Sequence, residues 1–247
     1  MLKIESIEDL LKHLSDNNKD GRQIWFRGQA QSDWKLLPFY MRKDNMPSES
    51  TLLKKFKQSA AMLINTNAIP NSDFDWLFLM QHYGVPTRLL DWSESPLVAL
   101  YFAVENFKHH EDQDAALWFL FPTDLNRNAG IKHRKEEDYI PAFEDIELET
   151  YSIASLKNNP NTELLPVATI ATRNNARIQA QHGVFTIHHL EDIPIEDIGN
   201  HEHAIKIIIP SDSKENIKKQ LELLGYTKFQ LFPELASIGD IIKESLL

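Results

Sequence analysis

Three stretches of this 247-residue chain set groups able to do chemistry at spacings that bring such groups together. The first is WFRGQ, Trp25 to Gln29, where Arg27 ends an apolar strand and Gly28 follows. A planar guanidinium at a strand end suits a phosphate or a carboxylate through paired hydrogen bonds. The missing side chain of Gly28 lets a second backbone or a ligand approach closely. The structural alternative is an ion pair between Arg27 and Asp91 that ties two strands together.

The second stretch is QHYGVPTRLLDWSESP, Gln81 to Pro96. Gly84 and Pro86 set a tight turn with His82 and Tyr83 on one side and Arg88 on the other. Alternation along the strand puts Asp91 and Ser93 on the face opposite the Trp92 indole. A helix begins directly afterwards, and helix N-termini stabilise anions, so a phosphate beside Ser93 and Ser95 is well placed. The alternative is that either serine simply caps the helix. The third stretch, NARIQAQHGVFTIH, runs from Asn175 to His188. Read as extended chain, it sets Arg177, Gln179 and Gln181 on one face. Three long polar side chains there are costly inside a core unless they bind something, and cheap on an open edge.

Other chemistries are excluded or unsupported. With no cysteine, the chain has no disulfide, thiolate metal site or cysteine nucleophile. It contains no Walker loop, no GxGxxG, no GxSxG and no HExxH. The densest histidines, His201 with His203 and the pairs at 109–110 and 188–189, lack a third ligand at readable spacing, so solvated histidines and no metal are expected. A net charge of −10 opposes non-specific binding to nucleic acid or anionic lipid. No signal-peptide core and no apolar run near the ~20 residues of a membrane span is present, so a soluble cytoplasmic protein is expected.

The elements that must position these groups follow from periodicity. Apolar spacing predicts helices over Ile4 to His13, Glu49 to Ile64 and Asp73 to Tyr83, the last capped by Ser72 or Asp73 and closed by Gly84. A further helix starts at Pro96 with Ser95 as its cap. Strands are expected at Gln23 to Arg27, Leu89 to Leu90 and onward, Asp114 to Pro122, Leu165 to Ala171, Gly183 to His188 and Ala204 to Ile209. Helices over Lys214 to Leu224 and Leu235 to Leu247 complete the chain. Thr123 to Asn161 reads as a loop-rich insertion, with a lid as one role for it. The pattern is α+β in one domain, with about six strands.

The set WFRGQ, LMQHYGVPTRLLDWSESPLVALYFA, ARIQAQHGVFTIH and FQLFPELASI, in order from Trp25 to about Ile238, resembles the FRG domain, named for its Phe-Arg-Gly motif. That resemblance implies a single FRG domain over 1–247 with its core at about 20–240. A second, weaker resemblance is to ADP-ribosyltransferases of the arginine–serine–glutamate type. It implies a split β-sheet flanked by helices, with NAD or a similar nucleotide as substrate. Arg27 then holds a ribose or phosphate oxygen, and Asp91-Trp92-Ser93 stands where the family has Ser-Thr-Ser. Gln179 and Gln181 stand near the place of the catalytic glutamate. Arg27, Asp91, Ser93 and Gln181 are therefore the candidate catalytic residues. Gly28, Gln29, His82, Tyr83, Arg88, Trp92 and Gln179 are the candidate ligand contacts, with Tyr83 or Trp92 stacking on nicotinamide. Because Gln181 is neutral, the stabilising charge must come from Asp91, or from Glu94, or turnover is slow or absent. The functions implied are ADP-ribosyl transfer or NAD glycohydrolysis in a bacterial or phage toxin or defence role, or a non-catalytic ligand-binding or interaction module.

Overall fold

A computed structural model describes residues 2–18, 21–64, 69–133, 135–170 and 176–244. Six strands form one sheet: β1 (Trp25–Gln29), β2 (Leu89–Ser93), β3 (Ala115–Leu120), β4 (Val167–Thr169), β5 (Gly183–Ile187) and β6 (Ala204–Ile209). Their spatial order is β4-β5-β2-β1-β3-β6, and every neighbouring pair is antiparallel. The helices are α1 (Ile7–Asn17), α2 (Glu49–Ala60), α3 (Asp73–His82), α4 (Pro96–Val104), α5 (Pro122–Asn128), α6 (Ile153–Asn158), α7 (Ala176–Ala180), α8 (Lys214–Leu223), α9 (Lys228–Leu231) and α10 (Leu235–Glu244). The class is α+β.

Pairing is not uniform across this sheet. β1 and β3 match over five residues, β2 and β5 over five, and β3 and β6 over six. At the centre, β1 and β2 share the single pair Phe26↔Ser93. A continued ladder would have set Gly28 against Asp91. Instead the Asp91 carbonyl on that side accepts from Arg27 Nη1 at 2.6 Å. A side chain thus replaces the backbone donor that an intact ladder would have supplied. The sheet is two three-stranded halves joined at one point.

The period-two pattern sorts the side chains on the two faces. On one face Trp25, Leu90, Trp92, Trp118 and Val184 build an apolar cluster with Leu36, Leu125, Ile195 and Ile198 from covering segments. On the other face each half of the sheet has its own cover. Phe26, Leu117, Phe119 and Ile207 pack under α4, α8 and α1, while Leu89, Val167, Phe185 and Ile187 pack under α3 and Leu53 of α2. Helix α3 starts with a capping box between Ser72 and Asp75, and α4 starts with Ser95 capping Val98 N and Pro96 in the first turn.

Three expectations need correction. The segment Thr123 to Asn161 is not loop throughout: it includes most of α5, a 3-10 turn over Ile146–Tyr151, and α6. Phe143, Leu148, Tyr151 and Ile153 from it are buried core residues. Few apolar residues sufficed because they are concentrated at these contacts. The first strand begins and ends two residues later than expected. The segment containing Arg177 and Gln179 is the short helix α7, not extended chain. The last three residues of the expected C-terminal helix, 245–247, lie outside the described residues, as does position 171 of the fourth strand.

Candidate functional site

A cavity of about 400 Å³ lies on the helical side of the sheet, over the β1–β2 junction. This size falls in the range of small-molecule sites. Its floor is Phe26, Arg27, Gly28, Asp91, Ser93, Gly183 and Phe185; α3 supplies Phe78, Gln81 and His82 on one side, and α4 supplies Ala99 and Phe102 on the other. Arg177, Ile178 and Gln181 close a third side. The cavity exists because the two halves of the sheet carry separate helical covers, and the covers part where the halves join.

Arg27, Asp91, Ser93 and Gln181, drawn from β1, β2 and the segment before β5, all line this one cavity. They differ in how much of their hydrogen-bonding capacity is already used. Ser93 Oγ donates to the Gln181 carbonyl at 2.7 Å and accepts from Ser95 N at 3.0 Å. It stitches the end of β2 to the start of α4. The Gln181 amide donates to the Leu231 carbonyl at 3.0 Å. Asp91 is exposed, and its Oδ2 accepts from Gln81 Nε2 at 2.7 Å. Arg27 spends Nη1 on the Asp91 backbone carbonyl, while its Nε is buried without a partner. Burial pushes the Arg27 guanidinium down to about 10, against the pull of Asp91 and with a further push from Arg42, so it stays charged at neutral pH.

The ion pair expected between Arg27 and Asp91 is therefore a bond to the Asp91 main chain, not to its carboxylate. Gly28 does line the cavity, yet its more pressing role is to admit α4. A Cβ there would sit 1.9 Å from the Ala99 carbonyl oxygen. Gln29 is 2 % exposed; its Oε1 accepts from Trp118 Nε1 at 2.8 Å and its Nε2 donates to the Lys35 carbonyl at 3.3 Å, so its amide is committed to the fold.

Of the other expected contacts, His82, Gln29 and Trp92 line the cavity. Burial lowers the pKa of His82, Glu234 raises it and Arg177 lowers it again. Its Nε2 lies 3.7 Å from Glu234 Oε1. Tyr83 follows the last residue of α3, points outward at 67 % exposure and is not part of the cavity wall. The Trp92 indole belongs to the opposite face, where its Nε1 donates to Thr186 Oγ1 at 3.0 Å. Trp92 is nonetheless part of the cavity lining, whereas Tyr83 is not.

Arg88 is the plainest correction. At 2 % exposure it is sealed in the core, where Nε and the backbone N–H both reach the Glu49 carboxylate, at 2.8 and 2.9 Å. Its remaining nitrogens donate to the carbonyls of His188 and Tyr151. It ties α2, β2, the end of β5 and the 3-10 turn together and has no access to the cavity. Gln179 is exposed and outside the cavity wall. In α7 the positions that share a face are three or four apart, so Arg177 and Gln181 face inward and Gln179 does not.

The expectation of solvated histidines needs correction: His188, His189 and His203 are buried, and the rings make contacts within the fold, His188 Nε2 with Ile193 O, His201 Nδ1 with Glu196 O, His203 Nε2 with Ile195 O and His110 Nδ1 with the Gln31 amide. Residues missed in the sequence include Gln81, Phe78, Phe102 and Glu105, all part of the cavity wall. Gln81 and Phe78 sit at i and i+3 on α3, a spacing that marks a shared face. No spacing could have signalled that this face meets Asp91.

Taken together, this is an α+β domain built on an antiparallel sheet, with a ligand-sized cleft of mixed charge where its two halves meet. Residues 22–112 match the family model of the FRG domain, and the chain carries an FRG domain there. That segment includes Arg27, Gln81, Asp91 and Ser93; Arg177 and Gln181 lie beyond it. No curated protein and no solved structure matches the chain.

Proposed function

We propose that the cavity binds NAD or a related nucleotide and that the domain breaks the bond between nicotinamide and ribose. The single observation that carries this reading is that an exposed carboxylate, Asp91, and a half-spent guanidinium, Arg27, meet in one nucleotide-sized cavity. In the step itself the glycosidic C–N bond breaks and its electron pair leaves with neutral nicotinamide. The positive charge passes to the ribose, and water or an acceptor nucleophile then bonds to the anomeric carbon and gives up a proton. A carboxylate beside the ribose lowers the energy of that charged state. Asp91 has the right charge for this, which the neutral Gln181 does not. Arg27 supplies donors for a ribose or phosphate oxygen. On this proposal the split sheet is of the ADP-ribosyltransferase kind, and a toxin or defence effector in a bacterial or phage setting is the role that fits it.

The test is to incubate the protein with NAD and candidate acceptors and to follow nicotinamide release. A trace equal to that of Arg27→Ala rejects the enzyme.

One observation favours a second reading, a binding module without turnover. Ser93 and Gln181, the residues in the places of the transferase serine and glutamate, have their side chains engaged with neighbouring backbone. Calorimetric titration with NAD and ADP-ribose separates the two: tight binding without nicotinamide release selects the module.

A further inference from the structure

Residues 231–234 touch the helical walls on all three sides of the cavity. Leu231, the last residue of α9, is buried in the core cluster shared with α4 and α8 and anchors this segment at one end. Its carbonyl accepts from Gln181 Nε2 at 3.0 Å. The Phe232 ring meets Phe102 of α4 edge-on, with centroids 5.8 Å apart, and carries the Arg177 guanidinium 4.9 Å from its centre. Arg177 reaches on to α3, where its Nη1 donates to the His82 carbonyl at 3.4 Å. Helix α10 follows and leaves Leu235, Ile238 and Ile242 exposed.

Glu234 is the other end of this segment. Its Oε1 is buried without a hydrogen-bond partner and lies 3.7 Å from His82 Nε2. A buried carboxylate oxygen left unpaired is costly, and 3.7 Å is longer than a hydrogen bond. A neutral imidazole carries one N–H, on either nitrogen. The imidazolium carries both, so protonation puts a donor on Nε2 and a charge opposite to that of Glu234. His82 also ends α3, where the last carbonyls of a helix favour a cation.

Among the described residues, Glu234 from the C-terminal segment and Arg177 from α7 are the charged groups that face His82. Tyr83 packs edge-on beside it, and Asp91 of β2, held by Gln81, lines the same cavity. Burial, the largest influence, holds the pKa of His82 below the ordinary 6.5, with Glu234 pulling upward and Arg177 downward. The imidazole is therefore neutral at neutral pH and takes up its proton in mild acid. An ion pair with Glu234 raises the pKa of His82 in the fastened state above that in the unfastened one. The stabilisation is thus present in acid and is lost as pH rises through the fastened-state value.

We propose that His82 and Glu234 form a proton-operated latch, which in mild acid draws the C-terminal segment onto α3 and tightens the Arg177–Gln181 side of the cavity. The latch acts on the wall and is independent of which ligand the cavity takes.

The experiment is hydrogen–deuterium exchange on the full chain at about pH 5.5 and about pH 8, on either side of the histidine range. Each rate is divided by that of the unfolded chain at the same pH. Protection of the amides in α7 and α9 should be roughly 2- to 5-fold higher in acid, the worth of a partly exposed ion pair, while β3 shows no such gain. The gain should vanish in Glu234→Met, which keeps the side chain's length and removes its acceptors, and in His82→Gln. Circular dichroism confirms that each variant is folded, and should one fail to fold, the other decides. No gain in the wild type, a gain that persists in either folded variant, or an equal gain in β3 overturns the latch.

Discussion

Gly28 offers the sharpest test of how the site is built. Helix α4 lies on β1 so closely that a Cβ at position 28 would sit 1.9 Å from the Ala99 carbonyl oxygen and 2.6 Å from the Ala103 nitrogen. Ordinary contact begins at 3.4 Å. Gly28→Ala therefore requires strand and helix to part by about 1.5 Å, the difference between 3.4 and 1.9 Å, because the obstruction is backbone and cannot rotate away. Six residues of α4, from Val98 to Val104, are buried and would lose close packing together. Overpacking a core typically costs ~1–3 kcal/mol and occasionally more. A backbone obstruction belongs at the upper end, so we expect about 3 kcal/mol, seen as a fall of about 1 M in the urea midpoint. Ligand affinity should fall as well, since Ala99 and Phe102 form the wall that would move. Ala103→Gly should not rescue the variant, as it removes the 3.0 Å contact with the Ala103 Cβ and leaves the Ala99 oxygen in place. Gly183→Ala is the control. Its nearest obstacle is the Ile178 Cγ2 at 3.2 Å, a side-chain end that can give way, so we expect a loss below about 1 kcal/mol. A Gly28→Ala protein as stable as the wild type would refute the claim that this glycine exists to admit α4.

Three further outcomes separate structural from functional roles. Arg88→Met should cost roughly 3–5 kcal/mol in chemical denaturation, because it strands a buried Glu49 carboxylate; a loss below 1 kcal/mol with weakened ligand binding would return Arg88 to the site. Asp91→Asn should leave stability within about 0.5 kcal/mol, since the side chain is exposed, yet lower nicotinamide release by about 10²-fold or more; unchanged release would remove Asp91 from the chemistry. Stability should also fall with acid through His188, which burial pushes down to about 3. Its folded value lies below the ordinary 6.5, so only the unfolded chain takes up this proton as pH drops from about 6.5 toward 3, and the equilibrium shifts to it. His188→Gln should flatten that part of the stability–pH curve, and an unchanged slope would locate the proton uptake elsewhere.

Much of the scaffold was legible in the sequence because it depends on neighbours a few positions away. Ser72, Ser95 and Pro96 announce two helix starts through local caps, and the alternation of Leu90, Asp91 and Trp92 separates an indole from a carboxylate on opposite faces. The convergence of WFRGQ, LDWSESP and the segment before Gly183 could be expected only through resemblance, since nothing within any one stretch points to the other two. Where a reading of local pattern went astray, two periods competed over too short a window. Five residues of α7 fit alternation as well as they fit a helix, and with that choice Gln179 changed sides.

The residue types and caps of this chain determine its class, most of its elements and which side of a strand each group takes. The tertiary structure alone decides that Arg88 meets Glu49 rather than a ligand, that the Trp92 indole bonds Thr186, and that Gln81 stands behind Asp91. The physical reason is range. Caps and alternation act over one to four residues along the chain, whereas charge, hydrogen bonding and packing act over a few ångströms in space between residues 10 to 100 positions apart.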